Sequence, residues 1–258
     1  MKPYEQYFLI SCTSGDLENV RHFLRNGIDI HLEGGQAFSN ACESKNIELI
    51  DYLLSSPEIK EHSKINPELN NDLIQACFKG NKEVVEKLFS LPVFQQQKKN
   101  QPKKHEKLII EAFKNACGSP KIEMIQFFTE ELNLDDRKIV FHNLNRGLIA
   151  ACNYGRLNNV KFLFQNEKTK NYINPIQYEE AALRISIHNK RIAILKYMMI
   201  EEKISISDDF KSWVQKMPEI SSEIKDIFNN IINTHEVQDK LNEALPVKIE
   251  TVIKKKKI

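Results

Sequence analysis

Leu73-Ile74-Gln75-Ala76-Cys77-Phe78-Lys79-Gly80-Asn81-Lys82-Glu83-Val84-Val85-Glu86-Lys87-Leu88-Phe89 reads as a helix, a glycine turn and a second helix, and the same phrase recurs along the chain. Its cysteine is the anchor. The five cysteines of the 258-residue sequence, Cys12, Cys42, Cys77, Cys117 and Cys152, are spaced 30, 35, 40 and 35 residues apart. Four places before each stands Phe8, Phe38, Leu73, Phe113 or Leu148, and immediately before it Ser11, Ala41, Ala76, Ala116 or Ala151. Eight places after it comes Val20, Ile50, Val85, Ile125 or Val160, and three further on Phe23, Leu53, Leu88, Phe128 or Leu163. Apolar residues at steps of three and four make the stripe of an amphipathic helix. Self-similarity at a period of this length is the mark of a repeat array. A sixth copy, Leu183, Ser186, Ile187, Leu195 and Met198, has Ile where the others have Cys, so the site calls for an apolar filler more than for a thiol.

Between the two helices of a copy the chain must reverse sharply. Gly15, Gly80 and Gly155 stand three residues past their cysteines, where a left-handed helix end favours glycine. Lys45 and Lys190 hold that place in the second and sixth copies, and their turns are expected to be distorted. The fourth copy has Gly118 and Pro120 there, with the proline expected as the first residue of the second helix.

The small-small-x-x-Gly turn, the Glu83-Val84-Val85-x-x-Leu88-Phe89 helix and the exit Asn26-Gly27-Ile28-Asp29-Ile30 resemble the ankyrin-repeat family over about residues 6 to 200. The family's Thr-Pro-Leu-His opening is missing, as Asn71-Asp72-Leu73-Ile74 shows, so the resemblance implies divergent copies. It also implies a concave surface lined by first helices, a protein partner held there, and no catalysis. The predicted architecture is therefore all-α: an α-solenoid of about six divergent ankyrin-like helix pairs over 1–200, capped by helices over 201–232. A polar helix and lysine-rich tail follow over 233–258. The cap is read from Phe210, Trp213, Val214, Ile220, Ile224, Ile227, Phe228 and Ile231, because a solenoid exposes apolar surface at its ends unless something covers it.

Lys and Arg number 37 against 35 acidic residues, a net charge of +2 that gives no bulk attraction to nucleic acid or membrane. No stretch approaches the roughly 18 apolar residues of a membrane span, and the first residues are too polar for a secretory signal. Five cysteines without a C-x-x-C pair match neither a disulfide framework nor a zinc knuckle. Equivalent positions on stacked helices lie about 8 to 10 Å apart, too far for a disulfide, and the cysteines are read as small buried hydrophobes. Seven histidines fall at no ligand spacing, and no phosphate loop, dinucleotide fingerprint or nucleophile elbow is present. The expectation is a non-catalytic, monomeric, cytoplasmic protein with no cofactor and no metal. Abundant Lys, Asn and Ile with degenerate copies resemble the repeat proteins that intracellular bacteria deliver into host cells.

Partner contacts are expected from first-helix positions just past the cysteine, which vary among copies where the core positions do not. These candidates are Thr13, Glu43, Phe78, Lys79, Asn153, Tyr154, His188 and Asn189, with Phe78 and Tyr154 as aromatic anchors. A second expectation is binding of nucleic acid or an acidic surface. It would use Lys98, Lys99, Lys103 and Lys104 in a surface loop over 98–107, helped by the lysine run at 254–257.

Overall fold

The computed structural model of this chain describes residues 2–55, 67–173, 175–204 and 206–234. It is all-helical among those residues and divides into two compact units, 1–173 and 174–258. The first unit contains five helix pairs. They are α1 (Pro3–Ser14) with α2 (Leu17–Arg25), α3 (Leu32–Ser44) with α4 (Ile47–Ser55), and α5 (Pro67–Lys79) with α6 (Lys82–Phe89). After an added helix α7 (Pro92–Asn100) come α8 (Pro102–Gly118) with α9 (Glu123–Gln126), a further helix α10 (Leu134–His142), and α11 (Leu144–Tyr154) with α12 (Leu157–Gln165). First helices pack on one another in chain order, α1 on α3, α3 on α5, α5 on α8 and α8 on α11, while each second helix lies against its own first helix.

The interior is built from the repeated positions. Phe8, Leu73, Phe113 and Leu148 are fully buried, as are Cys12, Cys77, Cys117 and Cys152, and Val20, Ile50, Val85, Ile125 and Val160 behind them. Each fully buried residue of this size contributes about 1.5 to 3 kcal/mol. The small residues Ala41, Ala76, Ala116 and Ala151 before the cysteines are buried, and at Gly147 of α11 an added Cβ would stand 2.6 Å from Phe113 Cε1 of α8.

All five thiols are free and buried. Burial pushes the Cys12 thiol up to about 12, and raises Cys42, Cys77 and Cys117 as well. A thiol reagent at neutral pH is therefore expected to titrate no cysteine rapidly in the native protein and all five in urea. Cys77→Ala is expected to lower stability by only about 1 to 2 kcal/mol, measured by urea unfolding; fast native labelling of Cys77 would contradict the packing described.

Gly15, Gly80 and Gly155 adopt φ of +76°, +73° and +71°. Each turn closes with the same bonds, as where Gly80 N donates to Cys77 O and Asn81 N to Ala76 O. Lys190 and Lys45 take the same left-handed conformation, φ +55° and +64°. The turn at Lys190 repeats the glycine pattern, with Arg191 N donating to Ser186 O at 2.7 Å, so no distortion is needed there. At Lys45, Asn46 N donates to Ser44 Oγ at 3.1 Å. In the fourth copy the second helix starts at Glu123, three residues past Pro120, and runs into a π turn over Phe127–Glu131. Pro120 is thus not the first helical residue. The prolines that do begin helices are Pro3, Pro67, Pro92, Pro102 and Pro175, whose missing N–H costs nothing there.

Copies are tied by a device at the position four past the cysteine, which the sequence reading overlooked. Asn46 Nδ2 donates to Gly15 O at 2.8 Å, Asn81 Nδ2 to Cys42 O at 3.4 Å, and Arg156 Nε to Gly118 O at 2.8 Å. Each side chain satisfies a carbonyl at the end of the preceding first helix, which has no partner within that helix.

The second unit holds the sixth pair, α13 (Pro175–His188) and α14 (Ile192–Lys196), whose second helix also ends in a π turn, Tyr197–Glu201. Helix α15 (Asp208–Lys216) begins at Ser207, whose hydroxyl accepts from Phe210 N, and a last helix spans 222–234. Phe210, Val214, Ile224, Phe228 and Ile231 are buried. The Arg184 guanidinium lies over Trp213, 4.3 Å from the ring centroid, and close to Phe210. No described helix is long and apolar enough to cross a membrane. The lysines at 254–257 lie outside the described residues.

Candidate interaction surface

The predicted contact residues sit where first helices end. Phe78 and Lys79 close α5, Asn153 and Tyr154 close α11, and Gly118 closes α8 between them. Because α5, α8 and α11 pack side by side, residues from the third and fifth copies converge across the fourth. The Phe78 and Tyr154 rings meet with centroids 4.9 Å apart and planes at 60°. Phe78 is half-buried, and Tyr154 remains 42% exposed. Two residues expected to act as separate anchors therefore form one patch.

Lys79 and Glu43, also expected to face a partner, form an ion pair between the second and third copies. Both are substantially exposed, so the pair is worth at most about 1 kcal/mol. Thr13 is exposed, with its hydroxyl donating to Leu9 O at 3.0 Å. Asn153 is partly buried beside Tyr154. In the second unit His188 is exposed and Asn189 partly buried at the end of α13.

The basic segment is not a loop. Residues 92–118 form two helices interrupted only at Gln101, whose φ of −140° breaks the run. Lys98 closes α7 and reaches α10, with Nζ 3.3 Å from Asp136 Oδ1 and 3.5 Å from Asp135 Oδ2. Lys99, Lys103 and Lys104 are exposed, the first on α7 and the others on the opening turn of α8.

Behind them lies a buried polar cluster. His105 and Asp136 are 4% and 3% exposed, and His105 Nε2 donates to Asp136 Oδ1 at 3.0 Å. Asn133 Nδ2 donates to Asp136 Oδ2 at 2.6 Å, and Asn133 Oδ1 caps the Asp136 amide. Burial pushes the Asp136 carboxyl up. The hydrogen bonds from His105 and Asn133 and the charges of His105 and Lys98 outweigh that effect, and hold it below the usual carboxylate range.

A cleft of about 360 Å³ opens along the helix turns of copies two to four, where Lys45, Lys82 and Lys121 face Glu83 and Glu123. Lys82 is already held by Glu131 at 2.7 Å. The charges nearly balance, so the cleft carries no field that selects an anion. Among the described residues no group of His, Cys, Asp and Glu is placed to hold a metal ion.

No family model matches the chain, and neither does any curated protein or solved structure.

Proposed function

We propose that this protein is a non-catalytic interaction module, an α-solenoid of about six divergent ankyrin-like helix pairs with a helical cap, which holds a protein partner against the ends of its first helices. One observation carries the reading. Positions facing the interior keep one chemistry through every copy, whereas the positions just past the cysteine change from Thr13 to Glu43 to Phe78 to Asn153, and Phe78 joins Tyr154, two past its own cysteine, as an accessible aromatic patch. A framework held constant beneath a varied surface is how repeat arrays recognise partners, and exposed aromatic side chains are the commonest interface anchors. The sequential packing of first helices supports the solenoid reading. The protein acts inside a cell, its own or a host's, as a scaffold, adaptor or inhibitor.

Affinity capture with the intact chain, from the source cell or its host, supplies the partner for the test. Phe78→Ala and Tyr154→Ala are each expected to weaken binding to it by about tenfold or more, measured by calorimetry. Unchanged affinity in both variants removes the aromatic patch from the interface. A partner lost steeply with rising salt and indifferent to both rings would instead favour nucleic acid or an acidic surface on Lys99, Lys103 and Lys104.

A further inference from the structure

Gly118 occupies the register at which the other copies carry Thr13, Glu43, Phe78, Asn153 and His188. Nothing in the backbone asks for glycine there. Gly118 ends helix α8 outside the left-handed region that it would make accessible, and alanine is the better helix former. Space is what it supplies. A Cβ at this position would lie 2.7 Å from Tyr154 Cδ2, 3.0 Å from Tyr154 Cε2 and 3.4 Å from Phe78 Cε2.

We infer that Gly118 is a positioning residue of the interaction surface: its missing side chain lets Phe78 and Tyr154 close over the fourth copy into one two-ring platform. This rests on the reading that these rings touch a partner. The backbone beneath them cannot retreat to admit a side chain, because the fifth copy clamps it from behind. Asn159 Nδ2 donates to Cys117 O and Ser119 O, each at 2.8 Å, and Arg156 Nε donates to Gly118 O at 2.8 Å. Asn159 is buried, so these bonds are shielded from water. Any atom added at residue 118 must therefore be accommodated by the rings. At 4.9 Å and 60° they already sit in the tilted geometry that aromatic pairs prefer. The partner would meet them as a single anchor spanning three copies, with one apolar side chain able to touch both rings.

Two measurements on the full chain test the platform without a partner. In the native protein the Phe78 ring current is expected to displace the Tyr154 ring-proton resonances, and Phe78→Leu and Gly118→Ala are both expected to abolish that displacement in the folded state. Gly118→Ala is expected to lower the melting temperature by about 2 to 4 °C, and to raise it when Tyr154→Ala has already removed the obstructing ring. This reversal of sign distinguishes ring positioning from simple helix weakening. Unmoved Tyr154 resonances together with a raised melting temperature in Gly118→Ala would overturn the inference. With the captured partner, Gly118→Ala is expected to lose affinity about as strongly as Phe78→Ala. Full affinity in Gly118→Ala alongside a loss in both ring variants overturns the positioning role and leaves the protein-binding reading standing. Full affinity in all three overturns the positioning role and removes the aromatic patch from the interface.

Discussion

Gly147→Leu is expected to unfold the first unit, and Gly147→Ala to destabilise it measurably, although alanine favours a helix over glycine by about 1 kcal/mol. Helix α11 crosses α8 at this residue. A Cβ would stand 2.6 Å from Phe113 Cε1, 2.7 Å from Cys117 Sγ and 2.9 Å from Phe113 Cζ. Neither neighbour has room to move. Phe113 and Cys117 are fully buried, and the Phe113 ring rests against Phe128 with centroids 5.9 Å apart. Forcing one methyl into a packed interior costs about 1 to 3 kcal/mol, and contacts under 3 Å put Gly147 in the upper half of that range, so Gly147→Ala should lose about 1 to 2 kcal/mol after the helix gain. A leucine side chain would consume much of the roughly 5 to 15 kcal/mol that holds a domain folded. Urea unfolding followed by circular dichroism reads both variants. An alanine variant as stable as the parent would mean that α8 and α11 do not approach this closely.

The second large effect lies at the buried cluster. Asp136→Ala is expected to cost about 3 kcal/mol, because it leaves the His105 N–H without an acceptor inside the protein and takes one carboxylate from Lys98. Asp135 keeps Lys98 partly paired, which limits the loss. The pH dependence has a definite sign. A carboxyl held below its ordinary value when folded contributes stability that is complete above the usual aspartate range, near about 4. That contribution fades as pH falls through the folded value. The stability gap between the parent and Asp136→Asn should therefore be widest at neutral pH and narrow from about pH 4 downward. Denaturant midpoints compared at neutral and acid pH check it, and a gap that grew on acidification would refute the assignment.

This cluster also shows where sequence reading stopped short. Lysines at 98, 99, 103 and 104 read as a surface loop over 98–107, and their charge masks the period beneath it. His105, Leu108, Ile109, Ala112, Phe113 and Ala116 recur at steps of three and four, and all six are buried on one face of α8. Continued one turn back from Leu108, the stripe reaches His105 and predicts the helix start. The signal was present, but a buried histidine needs a partner, and Asp136 lies 31 residues away in sequence. The cysteine register was legible because it repeats, and repetition identifies core positions without any knowledge of the fold. Repetition also marks the polar position four past the cysteine, Asp16, Asn46, Asn81, Lys121, Arg156 and Arg191. Its residues differ in shape and charge, so only the carbonyls that Asn46, Asn81 and Arg156 meet reveal a shared task. The joining of Phe78 to Tyr154 was not legible at all. It depends on which copies lie side by side and on the absence of a side chain at Gly118, and an absence carries no hydrophobic signal.

Those back-reaching side chains make the seams between copies unequal. Copies four and five are sewn by three bonds of 2.8 Å, two of them from buried Asn159, whereas Asn81 spans 3.4 Å to reach Cys42 and is joined across that seam by the surface Lys79–Glu43 and Lys87–Asp51 ion pairs. Thermal or mechanical load on the first unit should accordingly open it between the second and third copies while the later copies stay together. The unit would then behave as a firm block, bearing the aromatic patch, joined through a softer seam to its two leading copies.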